Sequence, residues 1–507
     1  MTATSLRETS AADSGRETFA SLNPATGDVV GTYPVTSAEE VDAALDRATA
    51  AATWWAGLGF DGRKDVMKRW KGVITRRMNQ LAEVVHAETG KPHGDALLEI
   101  GLAIDHIAWA SGHAKKVLGK QKVSSGMLMV NQSASVSYQP LGVVGVIGPW
   151  NYPVFTPMGS IAYALAAGNA VVFKPSEYTP GVGKWLVDSF AEVAGDHPVL
   201  QLITGFGPTG GALAGSPKVD KVAFTGSTAT GKKVMAAAAE NLTPVVIEAG
   251  GKDAMIVDAD ADLPAAVDAA LWGAMGNAGQ TCTGMERVYV HEKVYDEFVS
   301  QIVEAAREIR PGNDADAHYG PATMPSQLAV ISDHVDDAIA RGGRAVVGSA
   351  DCVGERYVQP TILVDVPEDS RAITDETFGP TLVVNKVASM DEAVARTNAT
   401  RYGLGASVFA KKSGSVIAQQ IRSGMVSVNA VIAFAGIPAL PFGGVGDSGF
   451  GRIHGPDGLK EFTYAHAVTN QRFKSALPLT SFKRTEKHEK TFTQMLTMLH
   501  GGKALDD

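Results

Sequence analysis

From Ser37 onward the apolar positions fall at helical spacing. VDAALDRATAAATWWAG carries apolar groups one helical turn apart, and Asp61 to Glu88 reads as one long amphipathic stretch rich in Arg and Lys. The pattern then changes. MLMVNQSASVSY, residues 127–138, alternates and predicts a strand or an extended arm. VVGVI is short and wholly apolar, as a strand covered on both faces must be. Between about 143 and 260, strand and helix patterns alternate. VVGVI precedes MGSIAYALAAG, AVVFK precedes GKWLVDSFAEVAG, VLQLITG precedes FGPTGGALAGS, and KVAFTG precedes STATGKKVMAAAAE. PVVIEAGG starts a new unit. A second series follows to about 440, through AMIVD, the helix around LPAAVDAALWGAMGNAG, RVYV, a helix from Glu292 to Ile309, AVVG and VSVNA. Such repetition predicts an α/β fold with parallel sheets and ligand loops at the carboxyl ends of the strands. SFKRTEKHEKTFTQMLTMLHGGKALDD closes the chain as a basic, helix-prone tail.

Composition narrows the function. A chain of 507 residues exceeds one ordinary core, so two or three domains are expected. The formal net charge of −9 argues against nucleic acid as a partner, since phosphate backbones need a basic surface. It leaves room for a small anionic cofactor held by local backbone groups. Two cysteines, Cys282 and Cys352, make a disulfide framework implausible and point to a reducing compartment. MTATSLRETSAADSGRETFA lacks the apolar core of a signal peptide and reads as a mobile leader. The most apolar run, IAYALAAGNAVVF, is cut by Gly168 and Asn169, so no integral membrane segment is expected. A cytoplasmic protein is the expectation. The histidines form no metal-ligand spacing, so no metal site is expected.

Two glycine-rich stretches invite a nucleotide reading. GFGPTG, residues 205–210, matches GxGxxG literally, but no acidic residue stands near Thr230, about twenty positions on. FTGSTATGKK, Phe224 to Lys233, resembles a P-loop until Lys233 falls where a Mg²⁺-binding hydroxyl is required. It follows the strand KVAF and opens a helix, and a helix N-terminus holds phosphate without a lysine. Ser227 or Thr228 would cap that helix or donate to a pyrophosphate. A plain capped turn without ligand stays open as the alternative.

Three further stretches supply chemistry. In GNAGQTCTGMER, Cys282 sits among small polar residues, where a structural cysteine normally has aliphatic neighbours. A buried thiol in a tight turn is the bland alternative. VVIEAGGK sets Glu248 at the carboxyl end of an apolar strand, and GPWNYP sets Asn151 just past another. A thiolate adds to an aldehyde carbonyl. The developing oxyanion needs fixed donors, each typically worth ~3 kcal/mol, and the Asn151 amide with the Cys282 N–H would serve. Hydride loss to a nicotinamide leaves a thioester, and Glu248 would activate the water that hydrolyses it.

With these motifs in order, the chain resembles the NAD(P)-dependent aldehyde dehydrogenase superfamily. PWNYP, FKPSE, GFGPTGG, FTGSTATG, EAGGK, GQTC, ETFGP and PFGGVGDSGFGR run in the family's order from about Ser21 to Ala467. The resemblance implies Cys282 as nucleophile, Glu248 as general base and Asn151 as oxyanion donor. It implies Lys174 at the adenosine ribose, Glu177 at its 2′-hydroxyl, and Ser227 with Trp150 at the pyrophosphate. Glu376 would hold the nicotinamide ribose, with Phe378 beside the ring and Gly207 close to adenosine. Ile147, Ser176, Phe224, Gly226, Ala249 and Gly250 complete the implied cofactor site. The implied organisation is a dinucleotide-binding domain over 21–126 and 145–250 and a catalytic domain over 251–455. A β oligomerisation arm over 127–144 and 456–477 and a tail over 478–507 complete it. A homodimer or homotetramer acting on a small aldehyde follows from the same resemblance.

Departures matter too. The family's usual Leu-Gly-Gly-Lys-Asn run is Ala249-Gly250-Gly251-Lys252-Asp253 here, and Thr377 replaces Ile or Ala in ETFGP as a minor change. Glu177 favours NAD by repelling a 2′-phosphate, with NADP still admitted beside Lys174. The substrate reads as succinate semialdehyde or as a fatty or aromatic aldehyde. A carboxylate substrate needs cations, and Arg287 and Arg452 are the candidates. The aromatic run AFAG around Phe434 and nearby Trp residues suit an apolar tunnel or an ordinary core. A catalytically silent nucleotide-binding structural protein, or a cofactor-free thiol esterase, stands as the alternative function.

Overall fold

The computed structural model describes residues 17–502. They divide into two compact units, 17–118 with 140–464, and 119–139 with 465–502. Most of the leader lies outside the described residues, but Thr18–Leu22 already forms a strand, paired antiparallel with Val29–Pro34.

Two sheets organise the larger unit. One has six strands in the order Gly449–Phe450, Val245–Ala249, Lys221–Gly226, Val143–Ile147, Ala170–Lys174, Leu200–Leu202. All its pairs are parallel except the short Gly449–Phe450 edge. From Val143–Ile147 the chain builds outward through Ala170–Lys174 and Leu200–Leu202, then returns to the other side. The strand order therefore switches between Val143–Ile147 and Lys221–Gly226, where α/β sheets bind ligands beyond their carboxyl ends. The other sheet has seven strands in the order Arg344–Val347, Thr361–Val364, Thr381–Val387, Met285–His291, Asp253–Val257, Ala406–Phe409, Ser427–Val428. The chain crosses from the first sheet to the second through Gly250, Gly251 and Lys252 alone. Strands expected to be apolar throughout are buried end to end, as in AVVFK and in Asp253–Val257. Phe298 and Ile302 of the helix Tyr295–Ala306 close one face of the second sheet. Each such buried side chain is worth roughly 1.5–3 kcal/mol.

Three local expectations need correcting. Asp61 to Glu88 is not one helix. Gly59–Arg76 and Met78–Thr89 meet at Arg77, whose φ and ψ of −115° and 23° are not helical. Met127–Asn131 is turn, and the strand there is Gln132–Pro140. The pattern above contains no element over His93–Leu118, yet a 26-residue helix spans it. In the smaller unit the strands Thr463–Gln471, Gln132–Pro140 and Gln121–Val123 form one sheet, and the tail helix Glu486–His500 buries no residue. Among the described residues no helix is long and apolar enough to cross a membrane.

Candidate active site

Glu248 is the penultimate residue of its strand, between Thr225, its partner in the parallel pair, and Gly449 on the edge. It is 2 % exposed, and neither carboxylate oxygen has a hydrogen-bond partner of good geometry. Burial pushes its pKa up to about 7, and the approach of Cys282 and Thr225 offsets only part of that. A carboxyl held near neutrality can exchange a proton at working pH.

Cys282 follows the helix Leu263–Met275 and the short 3₁₀ turn Gly276–Gly279. Asn277, Ala278 and Gly279 all take left-handed backbone angles, with φ of 54°, 57° and 71°. Two non-glycine residues there cost free energy, a feature that clusters at functional sites. Gln280 holds this loop. Its Nε2 donates to Asn277 O and Pro321 O, and its Oε1 accepts from Thr323 N at 2.8 Å. The thiol is enclosed by protein, yet Cys282 is partly exposed to a pocket. Burial raises its pKa well above the ordinary value, and the charge of Glu248 adds to this, followed by Asp253 and Glu376.

Asn151 reaches the same loop. Its Nδ2 donates to Gln280 O at 3.0 Å, two residues before the thiol. Its own carbonyl accepts from Lys91 Nζ at 2.7 Å and from Asn277 Nδ2 at 3.0 Å. Lys91 is paired with Glu99 at 2.7 Å, and both side chains are wholly buried. Glu99 Oε1 in turn accepts from Val154 N and Phe155 N at the start of the helix Phe155–Ala167. The ion pair thus fixes the turn that carries Asn151. Sequence reading missed it, because Lys91 and Glu99 gain meaning only through a partner about sixty positions away. Breaking one half of a buried pair strands the other charge, at about 3–5 kcal/mol. Lys91→Met is therefore expected to lower stability by about that much in denaturant unfolding, well beyond the loss for Lys115→Met at the exposed Asp61 pair.

The residues implied for the cofactor fall into two groups. Ile147, Lys174 and Phe224 lie side by side in register at the strand ends. Lys174 is 4 % exposed, and its Nζ donates to Pro175 O alone among protein groups, leaving donors for a ribose diol. Ser176 Oγ lies 3.4 Å from the carboxylate of Glu177. Gly207 opens the helix Gly207–Ala214 with clear space over its Cα, while Gly210 lies in ordinary contact with the Lys174 side chain. Ser227 caps the helix Thr228–Ala239 by accepting from Thr230 N, at the point where strand order switches. The Phe224 ring packs over Gly226. On the other side, the Trp150 ring meets the Phe378 ring edge-on at 5.6 Å. The Glu376 carboxylate lies over Gly250 and accepts from Gly251 N at 3.1 Å, next to Ala249. Burial and the charge of Glu286 push Glu376 up to about 8. A single-partner ammonium, a capped helix start and an open glycine turn suit a dinucleotide.

Thr377 is more than a minor change. Its hydroxyl accepts from Lys252 Nζ at 3.1 Å and contacts His334 Nδ1 at 3.0 Å, which Ile or Ala could not do. Lys252 pairs with Glu286, which also accepts from Thr377 N and Phe378 N. Arg287 and Arg452 do not reach the pocket. Arg287 binds the carbonyls of Lys252, Arg396 and Thr397, and Arg452 binds those of Gly444 and Gly451. Phe434 is core, packed on Gly405, while Ala435 and Trp272 line the pocket. Among the described residues no cluster of His, Cys, Asp and Glu is arranged to hold a metal.

The family model described as "Aldehyde dehydrogenase family" matches residues 11–468. The chain belongs to the aldehyde dehydrogenase family. A 4,4′-diapolycopene aldehyde oxidase from Methylomonas sp is 36% identical over 460 residues, 90% of this chain and 86% of that protein. A Mycobacterium ulcerans protein named for succinate-semialdehyde dehydrogenase activity with NADP+ is 36% identical, over 88% of this chain and 87% of its own. The crystal structure of an NAD-dependent aldehyde dehydrogenase from Sinorhizobium meliloti superposes with a TM-score of 0.87 at 34% identity, covering 92% of this chain and 93% of that one. This aldehyde dehydrogenase is therefore an NAD(P)+-dependent enzyme acting on a small-molecule aldehyde, with NAD or NADP as cofactor.

Proposed function

We propose that this aldehyde dehydrogenase oxidises apolar aldehydes, fatty or aromatic, to carboxylic acids through Cys282, Glu248 and Asn151. The pocket wall carries the substrate reading. Leu98, Leu102, Phe155, Trp272, Ile432 and Phe442 line a cleft that includes Cys282. Its charged lining residues are Asp95 and Glu99, and among the described residues no Lys or Arg joins them. His454 also lines it, and burial keeps that imidazole neutral, well below its ordinary range. A carboxylate substrate would be desolvated there with no free cation to meet it, since Lys91 behind the wall is committed to Glu99 and to Asn151 O. An alkyl or aryl body would instead gain roughly 25 cal/mol for each Å² of apolar surface it buries.

The chemistry follows from the same residues. The Cys282 thiol loses its proton through pocket water to bulk solvent, and the sulfur adds to the carbonyl carbon. The new oxyanion is read as facing Asn151 Nδ2 and the Cys282 N–H. A nicotinamide held by these residues would supply the acceptor for the hydride that leaves the carbon. Cys282 is then a thioester. Glu248 takes a proton from water as its oxygen attacks, releasing the acid and restoring the thiol. Lys174, Ser227 and Glu376 are read as holding the cofactor. Glu177 supports NAD as the better partner, since a carboxylate repels a 2′-phosphate.

Turnover across an aldehyde panel, with NAD and NADP in parallel, tests this. Hexanal or benzaldehyde is expected to exceed succinate semialdehyde in kcat/KM by at least about a hundredfold, the scale of one unpaired buried charge. Preference for the semialdehyde would overturn the apolar assignment and require a cation outside the pocket lining described above.

A further inference from the structure

Residues 376–378 run through the site in a backbone that local preference opposes. Phe378 takes a left-handed conformation, with φ of 53°, though it is neither glycine nor asparagine. Such a residue persists only where its surroundings over-determine it. Here they do, and they converge on Thr377. Its N–H and that of Phe378 donate to the Glu286 carboxylate, at 2.8 and 2.9 Å. Its carbonyl accepts from Gln327 Nε2 at 2.6 Å. Its hydroxyl lies 3.1 Å from Lys252 Nζ and 3.0 Å from His334 Nδ1. All five residues, Thr377 with Glu286, Gln327, Lys252 and His334, are buried, while Glu376 and Phe378 on either side of Thr377 keep some exposure.

The donors and acceptors have one consistent arrangement. An ammonium has donors only, so Lys252 donates to the Thr377 oxygen. The single hydroxyl proton is then left for His334 Nδ1, and the ring carries its own proton on Nε2. Burial, and then the charge of Lys252, hold His334 below its ordinary range, in keeping with a neutral ring. Lys252 is also paired with Glu286, so the hydroxyl closes a ring of hydrogen bonds that returns through Glu286 to the N–H of Thr377 itself. Isoleucine or alanine at 377 would keep the backbone bonds and open that ring. We propose that Thr377 is a positioning residue for the nicotinamide half of the cofactor: its hydroxyl, gripped between Lys252 and His334, holds Phe378 in its left-handed backbone and keeps the Glu376 carboxylate and the Phe378 ring in place. This role rests on Glu376 and Phe378 as cofactor residues.

The clamp and the two cofactor contacts share one short stretch of backbone. The Phe378 ring meets Trp150, and Glu376 accepts from Gly251 N, one residue before Lys252. The adenosine end is read onto other elements, with Lys174 closing a strand of the first sheet and Ser227 capping the helix Thr228–Ala239. Releasing the clamp lowers the fraction of molecules with 376–378 in place. The apparent affinity of a ligand that needs this segment falls by the same factor. A ligand that uses the first sheet alone is spared.

Calorimetric titration with NAD, and with AMP as the adenosine end alone, separates the two. Thr377→Val keeps the shape and loses the hydroxyl. It is expected to weaken NAD binding about tenfold and to leave AMP within about twofold of wild type. Thr377→Ser keeps a hydroxyl and should return NAD binding close to the wild-type value. His334→Leu removes the acceptor of that hydroxyl from the other side. It should weaken NAD in the same sense by a smaller factor, and it carries the test if the valine variant folds poorly. Equal loss of NAD and AMP would make Thr377 a general packing residue, and unchanged NAD binding would deny the hydroxyl this role. Either result overturns the proposal. Glu376→Gln, titrated alongside, tests the cofactor reading itself. A selective NAD loss in Thr377→Val with none in Glu376→Gln would uphold the clamp through Phe378 and count against Glu376 as a cofactor residue instead.

Discussion

Cys282→Ala is expected to abolish aldehyde oxidation and ester cleavage together, by at least about three orders of magnitude in kcat. Both reactions need an acyl or hemiacetal bond to the same sulfur. The other candidate nucleophile of this kind, Cys352, is buried in a separate apolar cluster with Ile331, Val335 and Leu363. Its thiol cannot substitute. The oxyanion donor and the base would survive the change, yet neither forms a bond to carbon, so residual turnover measures only binding and polarisation. The variant should bind NAD as the wild type does, because Lys174, Ser227 and Glu376 are untouched. Stopped-flow detection of reduced cofactor, with p-nitrophenyl acetate cleavage alongside, makes the comparison. Retained oxidation in a folded variant would sink the covalent mechanism. Retained ester cleavage alone would place the esterase elsewhere on the molecule.

The parts of this site that could be read from sequence are those carried by one short segment at a strand end. Glu248 could be read because an acid closes an apolar strand just before two glycines. Cys282 could be read because its neighbours are small and polar, and Ser227 because a capping residue follows a strand and opens a helix. What could not be read depends on distant partners. The Lys91–Glu99 pair joins one helix to the turn bearing Asn151, and Gln280 gathers Asn277, Pro321 and Thr323. Arg287 and Arg452 illustrate the opposite error. Their charge suggested a substrate anchor, but an arginine has five donors and buried carbonyls claimed them. The helix His93–Leu118 had a readable period in Ala96, Ile100, Ala103, Ile107 and Ala110. Its buried face relies heavily on alanine, which gives little contrast to the polar side. The break at Arg77 had no glycine or proline to announce it.

Glu248→Gln separates the two halves of the reaction. The first turnover should release reduced cofactor with little delay, since thiol addition and hydride loss leave deacylation still to come. Steady-state turnover should then fall by about a hundredfold or more, the usual contribution of a positioned general base. The pH profile carries the identity of the base. With its pKa pushed up to about 7, Glu248 holds a proton below neutrality and cannot accept one from water. Wild-type kcat should therefore rise with pH through about 7, and the variant should lose that limb. Stability moves the other way. A carboxyl whose folded pKa lies above its ordinary value favours the native state at low pH, and that contribution is lost as pH climbs to about 7. The amide never ionises, so the variant should gain on the order of 2–3 kcal/mol over wild type at pH 8 and nothing at pH 4. Denaturant unfolding at the two pH values measures this without reference to activity. An unchanged steady state would remove Glu248 from deacylation. A burst lost together with steady-state turnover would assign it to the first step instead. A stability gain with lost deacylation would show one buried carboxylate trading native-state stability for the base the thioester requires.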